Sequence, residues 1–292
     1  MYLFERVSQN NHFAGFEFKR ANVHEAEDTS ESGISAGRRT WLDESRGPVA
    51  TWEEFERFPW PEPGEFDYSS LEWLEKNLPD DMCMTSRAHS IFEELSWAFG
   101  LESLAYALYD APDLVQAVAD KVGEVHLAAV KVHVQFEKMK FLFGGDDMGY
   151  KTGTLVSPEA LRKYVLPWHK KIAKVAHDAG RPYLLHSCGN IEAVMPDLVD
   201  DVGIDGRHSF EDTIEPVEEF YARWGEKTAV LGGVDVDFLC RSSQGAIRRR
   251  VREILDACHG GRYALGTGNS VANYIPIDNY LVMLDEGRKY CR

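Results

Sequence analysis

A histidine and a cysteine separated by one serine form the most chemically distinctive pair in this 292-residue chain. His186 and Cys188 follow a short apolar run at 182–185, which has the length and composition of a buried strand. Residues i and i+2 of a strand point to the same side, so the imidazole and the thiol are expected to face one space. Zinc binds histidine nitrogen and cysteine sulfur in tetrahedral geometry. The pair therefore predicts a zinc site, and the alternative is a hydrogen-bonded histidine beside a buried cysteine.

Polar residues also follow several other short apolar runs in the chain. The candidate ligands and proton carriers among them are Asp146, Asp147, His208, Glu211 and Asp235, and the candidate binding residues for substrate or cofactor are Asn269, Ser270 and Tyr274. We assign catalytic roles to Asp147, His208 and Asp235. Adjacent strand residues point to opposite sides, so at most one of Asp146 and Asp147 is expected to face the site. The alternative for these residues is a cap or loop role.

Short apolar runs alternate with longer stretches of helical periodicity from residue 68 onward. The predicted strands lie near 82–85, 141–144, 182–185, 204–206, 229–232 and 263–266, with a further alternating run at 13–18. One predicted helix begins at Ser157 and Pro158 and ends near Leu166, and another spans 246–258. Alternating strands and helices indicate an α/β fold with a parallel sheet.

The position of the polar groups distinguishes a barrel from an open sheet. In a (β/α)8 barrel, or TIM barrel, functional groups from many strands gather at the C-terminal ends of the strands. A doubly wound sheet instead gathers them at one switch point. Five successive strands here end in polar groups, so the sequence predicts a TIM-type barrel. About seven strands can be counted, so the first strand is expected to be absent or altered. We expect a single barrel domain over 1–292, with an irregular N-terminal region at about 1–65.

The composition excludes several classes of partner. The chain has 32 Lys and Arg residues against 48 Asp and Glu residues, a formal charge of −16, which disfavours nucleic acid and anionic membrane surfaces. No apolar run approaches the roughly 20 residues that span a bilayer. The five cysteines are scattered and odd in number, so a disulfide framework is not expected. We therefore expect a cytoplasmic protein that binds neither nucleic acid nor a membrane.

Three motifs together resemble a known family. The segments 184–190, 232–235 and 266–270 resemble the cobalamin-dependent methyltransferase branch of the uroporphyrinogen decarboxylase superfamily, and the likeness extends from about residue 51 to the end. The resemblance implies a barrel that holds zinc through His186 and Cys188. It also implies a small-molecule methyl donor and a partner corrinoid protein that carries cobalamin, and a homodimer is a further expectation.

Two departures from that family affect the expected chemistry. The zinc-dependent coenzyme M enzymes of the branch supply a second cysteine from the last strand, where this chain has Thr267. Members of the family also carry a further N-terminal segment that holds the first strand. Because Thr267 replaces the second cysteine, a third zinc ligand would have to come from Asp146, Asp147, His208, Glu211 or Asp235. A carboxylate or imidazole makes the ion harder than a thiolate does and a stronger Lewis acid toward oxygen. This favours a methoxylated or methylamine-type donor.

Two alternatives to a corrinoid-dependent methyltransferase stay open. One is a uroporphyrinogen decarboxylase-like enzyme, which the family resemblance suggests would need basic residues near the N-terminus to hold a polycarboxylate. The available residues are Arg20, Arg38 and Arg39, and the strongly acidic composition suits such a substrate badly. The other alternative is a shortened, inactive barrel that acts as a binding or scaffold subunit. Metal analysis of the purified protein separates the methyltransferase from both alternatives.

Overall fold

The computed structural model describes residues 23–27, 38–42, 44–62, 66–87 and 90–290. An antiparallel pair of strands, β1 (Val23–Glu27) and β2 (Arg38–Leu42), forms one two-stranded sheet. The sequence reading did not predict this pair within the N-terminal region. The strand predicted at 13–18 lies outside the described residues.

Six further strands form a second, parallel sheet within the described residues. They are β3 (Met84–Arg87), β4 (Met139–Gly145), β5 (Tyr183–His186), β6 (Gly206–His208), β7 (Ala229–Leu231) and β8 (Tyr263–Ala264). Each strand pairs with the next one along the chain, from β3 to β8. A doubly wound sheet reverses its strand order at a switch point, whereas the wall of a barrel keeps chain order. The topology of these strands is therefore that of a barrel wall.

Helices follow the strands, as the alternating pattern predicted. They are α1 (Trp52–Arg57), α2 (Ser69–Asn77), α3 (Phe92–Phe99), α4 (Leu101–Asp110), α5 (Pro112–His133), α6 (Pro158–Ala160), α7 (Leu166–Asp178), α8 (Met195–Asp197), α9 (Val217–Trp224), α10 (Val236–Arg241), α11 (Gln244–Ala257) and α12 (Ile277–Tyr290). One continuous hydrophobic core joins strand residues such as Leu142 to helix residues such as Val122, Ile172 and Ile254, all fully buried. Burying each such side chain stabilises the fold by about 1.5 to 3 kcal/mol.

The helix predicted to end near Leu166 is longer than expected. Ser157 caps its start, since the Ser157 hydroxyl accepts a hydrogen bond from the Ala160 N–H. A π-helical turn, Leu161–Val165, then leads directly into α7, which continues to Asp178. Pro167 lies at the junction between the π-helical turn and α7, and the chain stays helical through it. The second predicted helix, 246–258, corresponds to α11 within two residues.

The register of the sheet aligns the residues that matter for the site. Gly145 at the end of β4 pairs with His186 on β5, and His186 pairs with His208 on β6. Three strand ends therefore stand side by side at one edge of the sheet. The next paired positions, Val234 and Thr267, continue this edge beyond β7 and β8.

Asp146, the first residue after β4, connects this edge to α3. Its carboxylate is fully buried and accepts hydrogen bonds from the N–H groups of Ile91, Phe92 and Glu93 at 3.1, 2.9 and 2.9 Å. It also contacts His169 Nε2 at 2.8 Å. Because the carboxylate here only accepts, His169 carries its proton on Nε2. The Asp146 carboxylate thus holds the fold together through these hydrogen bonds and is not available to the candidate site.

We expect Asp146→Ala to lower the free energy of unfolding by on the order of 3 to 5 kcal/mol, because it strands three buried N–H groups and His169. Urea denaturation of the metal-free protein measures this change. Asp147→Ala is the matched control: Asp147 is partly exposed and accepts one backbone hydrogen bond, from Cys188, so the change should cost less, about 1 to 2 kcal/mol. Equal stabilities of the two variants would show that Asp146 does not hold the fold in this way.

Candidate metal centre

Three side chains with metal-binding groups meet at the ends of β4 and β5. One ligand atom each from Asp147, His186 and Cys188 lies within 4.8 Å of the other two. His186 Nε2 is 3.3 Å from Cys188 Sγ and 3.4 Å from Asp147 Oδ1. Tetrahedral zinc with bonds of 2.0 to 2.3 Å separates its ligands by about 3.3 to 3.8 Å. The spacing of the three groups therefore fits a zinc ion, and the structure singles out Asp147 among the possible third ligands.

The loops after β4 and β5 are hydrogen-bonded together, which fixes Asp147 relative to Cys188. The Gly149 N–H donates to the Cys188 carbonyl at 3.1 Å, and the Cys188 N–H donates to Asp147 Oδ1 at 2.8 Å. Gly189 has a φ of 76°, and a Cβ at this position would lie 2.2 Å from the Gly149 carbonyl carbon. A side chain at 189 would therefore push the two loops apart and separate the ligands.

His208 sets the orientation of the His186 ring. Its Nε2 lies 3.2 Å from the Thr267 carbonyl oxygen, which can only accept, so Nε2 carries the proton. Burial and the neighbouring His186 lower the pKa of His208 to about 4, so the ring is neutral at pH 7 and its Nδ1 accepts. His186 Nδ1 lies 2.7 Å from this Nδ1 and is therefore the donor. His186 Nε2 is left facing Asp147 and Cys188, where it can take up a cation, either a proton or a metal.

The charges at the site favour a cation there. Burial raises the pKa of Asp147, but a hydrogen bond from His186, formed when its Nε2 holds a proton, and one from the Cys188 N–H outweigh it, so the pKa lies below its usual value. Burial and the Asp147 charge raise the pKa of the Cys188 thiol to about 12. Asn269 Nδ2, 3.3 Å from Cys188 Sγ, opposes this rise in part. The thiolate form of Cys188 therefore depends on a nearby cation.

Asp235 is not among the three clustered groups, and its catalytic role stays a prediction. Its carboxylate caps α10 by accepting from the Phe238 N–H at 2.9 Å, and it also accepts from the Asp212 N–H at 3.0 Å. Both oxygens are thus used to hold the loops after β6 and β7. Glu211, another candidate ligand, lines a small cavity beside Phe210, outside the group of three ligands.

The predicted binding residues of the last loop are placed at different distances from the cluster. Asn269 contacts Cys188 Sγ, as described above. The Thr267 hydroxyl donates to the Asn269 carbonyl at 2.6 Å, and the Ser270 N–H donates to Asn269 Oδ1 at 2.7 Å. Ser270 and Tyr274 are exposed. Their roles in binding substrate or cofactor stay predictions.

Sequence reasoning missed several groups that support the site. Ser187 is fully buried, and its hydroxyl accepts from the Met148 N–H at 3.1 Å, which joins the two loops again. His169 was assigned no role, yet it links Asp146 to Tyr183, whose hydroxyl lies 2.8 Å from His169 Nδ1. Burial and the charge of Asp146 raise the pKa of Tyr183 well above its usual value, so this hydroxyl donates. The sequence offered one signal for Ser187, because a His-Ser dipeptide occurs at both 186–187 and 208–209.

Fold and site together define a parallel α/β protein of barrel type with metal-binding groups at the strand ends. A family model for uroporphyrinogen decarboxylase (URO-D) matches residues 42–290, so the chain belongs to this family. The methylated-thiol–coenzyme M methyltransferase of Methanosarcina mazei is 29% identical to it over 183 residues. That match covers 62% of this chain and 46% of the relative, less than half of its length. The predicted resemblance to the methyltransferase branch is thereby confirmed.

A solved structure shares the fold. The structure of a methyltransferase from Methanosarcina mazei has a TM-score of 0.68 to this chain at 16% identity, covering 96% of this chain and 78% of that one. This likeness confirms the predicted TIM-type α/β class. Within the described residues, no helix has both the length and the apolar character needed to cross a membrane.

Zinc affinity should depend strongly on pH, because binding must displace the thiol proton of Cys188. Well below a thiol pKa of about 12, we expect about one proton released per zinc and an affinity that rises about tenfold per pH unit. Calorimetry in buffers of different ionisation enthalpy counts the protons. Cys188→Ala should bind zinc more weakly and lose most of this release. A wild-type affinity that does not change with pH would contradict a metal-bound thiolate.

His208→Phe keeps a ring at position 208 but removes the acceptor for His186. We expect zinc affinity to fall roughly 10- to 100-fold, as for other groups that orient a metal ligand. Competition with a chromophoric chelator measures it. His177→Phe, the same change at an exposed histidine that pairs with Asp205, is the control and should leave zinc affinity unchanged. If both variants retain wild-type affinity, His208 does not orient His186.

Proposed function

We propose that this protein is a methyltransferase that activates a small-molecule methyl donor at the Asp147–His186–Cys188 site. The methyl group would pass to cobalamin carried by a corrinoid protein. The observation that carries this proposal is the gathering of three metal-binding groups at the C-terminal strand ends, where barrel enzymes hold their active sites. Membership of the uroporphyrinogen decarboxylase family and the similarity to a methyltransferase support it. A cytoplasmic location and a homodimer are part of the same proposal.

Asp147, His186 and Cys188 would hold zinc, with one position of a tetrahedral ion left for the donor. Bound zinc would supply a Lewis acid that polarises the atom from which the methyl group departs. The residues of the chain do the rest. His208 holds the His186 ring in place through Nδ1, and the Asn269 amide lies against Cys188 Sγ. Preformed groups of this kind lower the barrier because they need not reorganise during the reaction.

The proposed ligand set favours a donor in which the methyl group is bound to oxygen. The Methanosarcina relative acts on methylated thiols, as its name states. Here Asp147 supplies an oxygen ligand, and the Thr267 hydroxyl is engaged with the Asn269 carbonyl. A carboxylate leaves the ion harder and a better acid toward oxygen than a second thiolate would. We therefore propose methoxylated compounds as the preferred donors, ahead of methylamine-type compounds.

Decarboxylation of a polycarboxylate is the less favoured candidate. Such a substrate needs cationic side chains around it. Among the described residues, the groups that contact His186 and Cys188 are carboxylate, imidazole, amide and hydroxyl. These groups suit a cation and not a polyanion.

The remaining alternative is an inactive barrel that acts as a scaffold subunit. It would be supported if the purified protein bound no zinc.

Exchange of the third ligand tests the donor preference. Asp147→Cys should bind zinc at least as tightly as the wild type, because thiolate is a soft, charged ligand. It should nevertheless demethylate a methoxylated aromatic compound at least about tenfold more slowly, since the ion then polarises oxygen less. Loss of Co(I) cobalamin absorbance follows the transfer.

The control is Asp147→Asn, which keeps an oxygen but loses the charge and should weaken zinc binding. The same assay with dimethyl sulfide should show a smaller loss for Asp147→Cys than the methoxylated donor does. If the Asp147→Cys rate rises together with its zinc affinity, the proposed preference for oxygen donors is wrong. If no donor consumes Co(I) with the wild type, the methyltransferase proposal itself fails.

A further inference from the structure

A second cavity, of about 610 Å³, opens on the other side of β6 from the metal centre. Arg207 and His208 are neighbours on β6, so their side chains point to opposite faces of the sheet. His208 faces the metal ligands, while Arg207 lines the cavity. The other walls come from the segment that follows Cys188, which includes Glu192, and from α9, which includes Arg223. Neither the family resemblance nor the proposed function assigns a role to this cavity.

Arg207 brings an unsatisfied cation to the cavity. Only 5% of the residue is exposed, and its guanidinium stacks on the rings of Phe220 and Phe210 at 4.6 and 5.1 Å. Its buried Nε has no hydrogen-bond partner among the described residues. Burial lowers the pKa of Arg207 to about 10, so it stays charged at neutral pH. The nearby charges of Glu215 and Glu192 offset part of this burial cost, but among the described residues neither carboxylate hydrogen-bonds to the Arg207 Nε, which a bound carboxylate could do.

Glu192 brings an unsatisfied acceptor to the same cavity. Its Oε1 accepts a hydrogen bond from Arg223 at 2.7 Å, and Arg223 also pairs with Glu215. Its Oε2 is buried and has no partner among the described residues. The cavity therefore holds one free donor group and one free acceptor group of opposite charge. Ile191 and Ile214 supply apolar wall between them.

We propose that this cavity binds a small zwitterion, with a carboxylate on Arg207 and a protonated amine on Glu192. A simple anion would meet the repulsion of Glu192 and Glu215, and a simple cation would meet that of Arg207 and Arg223. A molecule that carries both charges, such as an amino carboxylate, satisfies both free groups at once. The carbon chain between the charges lies against Ile191 and Ile214. This inference does not depend on the proposed methyltransferase function.

Calorimetric titration of the full chain with ω-amino carboxylates, from glycine to 6-aminohexanoate, tests the proposal. We expect at least one member of this series to bind with a saturable isotherm. Butyrate and butylammonium each carry one of the two charges and should bind at least tenfold more weakly than the best zwitterion. If no amino carboxylate binds saturably, or if a single-charge probe binds as tightly, the proposal is overturned and bridging water satisfies the two groups instead.

Two variants assign the binding to these residues. Arg207→Met and Glu192→Gln should each weaken binding of the best amino carboxylate at least tenfold. Arg207→Met removes one of the cations near Glu215, so its melting temperature is measured beside its affinity. Glu192→Gln, at a residue that is partly exposed, tests the proposal by itself if Arg207→Met does not fold. Arg241→Met, at an exposed arginine on α10, is the matched control and should bind as the wild type does. Unchanged affinity in Arg207→Met and Glu192→Gln would place the binding elsewhere and overturn the proposal.

Discussion

The hydrogen-bond register of β4, β5 and β6 is the constraint on which the candidate site depends. It sets Gly145, His186 and His208 side by side at one edge of the sheet. A one-residue slip of β6 would turn His208 to the outer face and bring Arg207 against His186. Both histidine rings reach each other only in the observed register, with their Nδ1 atoms 2.7 Å apart. The large hydrophobic core therefore serves the site indirectly, because it holds this register.

Neighbouring residues on a strand, or directly after its end, serve different purposes along this edge. Asp146 is buried and holds the start of α3, while Asp147 joins the metal ligands. His208 turns to the metal ligands and Arg207 to the second cavity. The period-two alternation of a strand makes this division possible. Burial and the charge of Asp147 raise the pKa of Cys188 to about 12, so the arrangement that gathers the ligands also makes the thiolate form of Cys188 depend on a cation.

The fold and part of the site could be read from the sequence for physical reasons. Alternating apolar runs and helical periodicity predicted the six described parallel strands, and the His-x-Cys spacing predicted the two ligands that meet Asp147. The choice between Asp147 and Asp235 could not be made, because both are acidic residues that follow strands. Only the structure shows that Asp235 is used as a helix cap. The pairing of β1 with β2 was also missed, since polar residues dominate the segment between them.

The central claim is that Asp147, His186 and Cys188 together hold one zinc ion. Zinc-edge X-ray absorption of the zinc-loaded protein tests it most directly, because scattering from sulfur is distinct from that of nitrogen and oxygen. We expect one sulfur at about 2.3 Å and nitrogen or oxygen ligands at about 2.0 to 2.2 Å. In Cys188→Ala the sulfur shell should vanish. A spectrum without sulfur, or one with two sulfur ligands, would contradict the three-residue site.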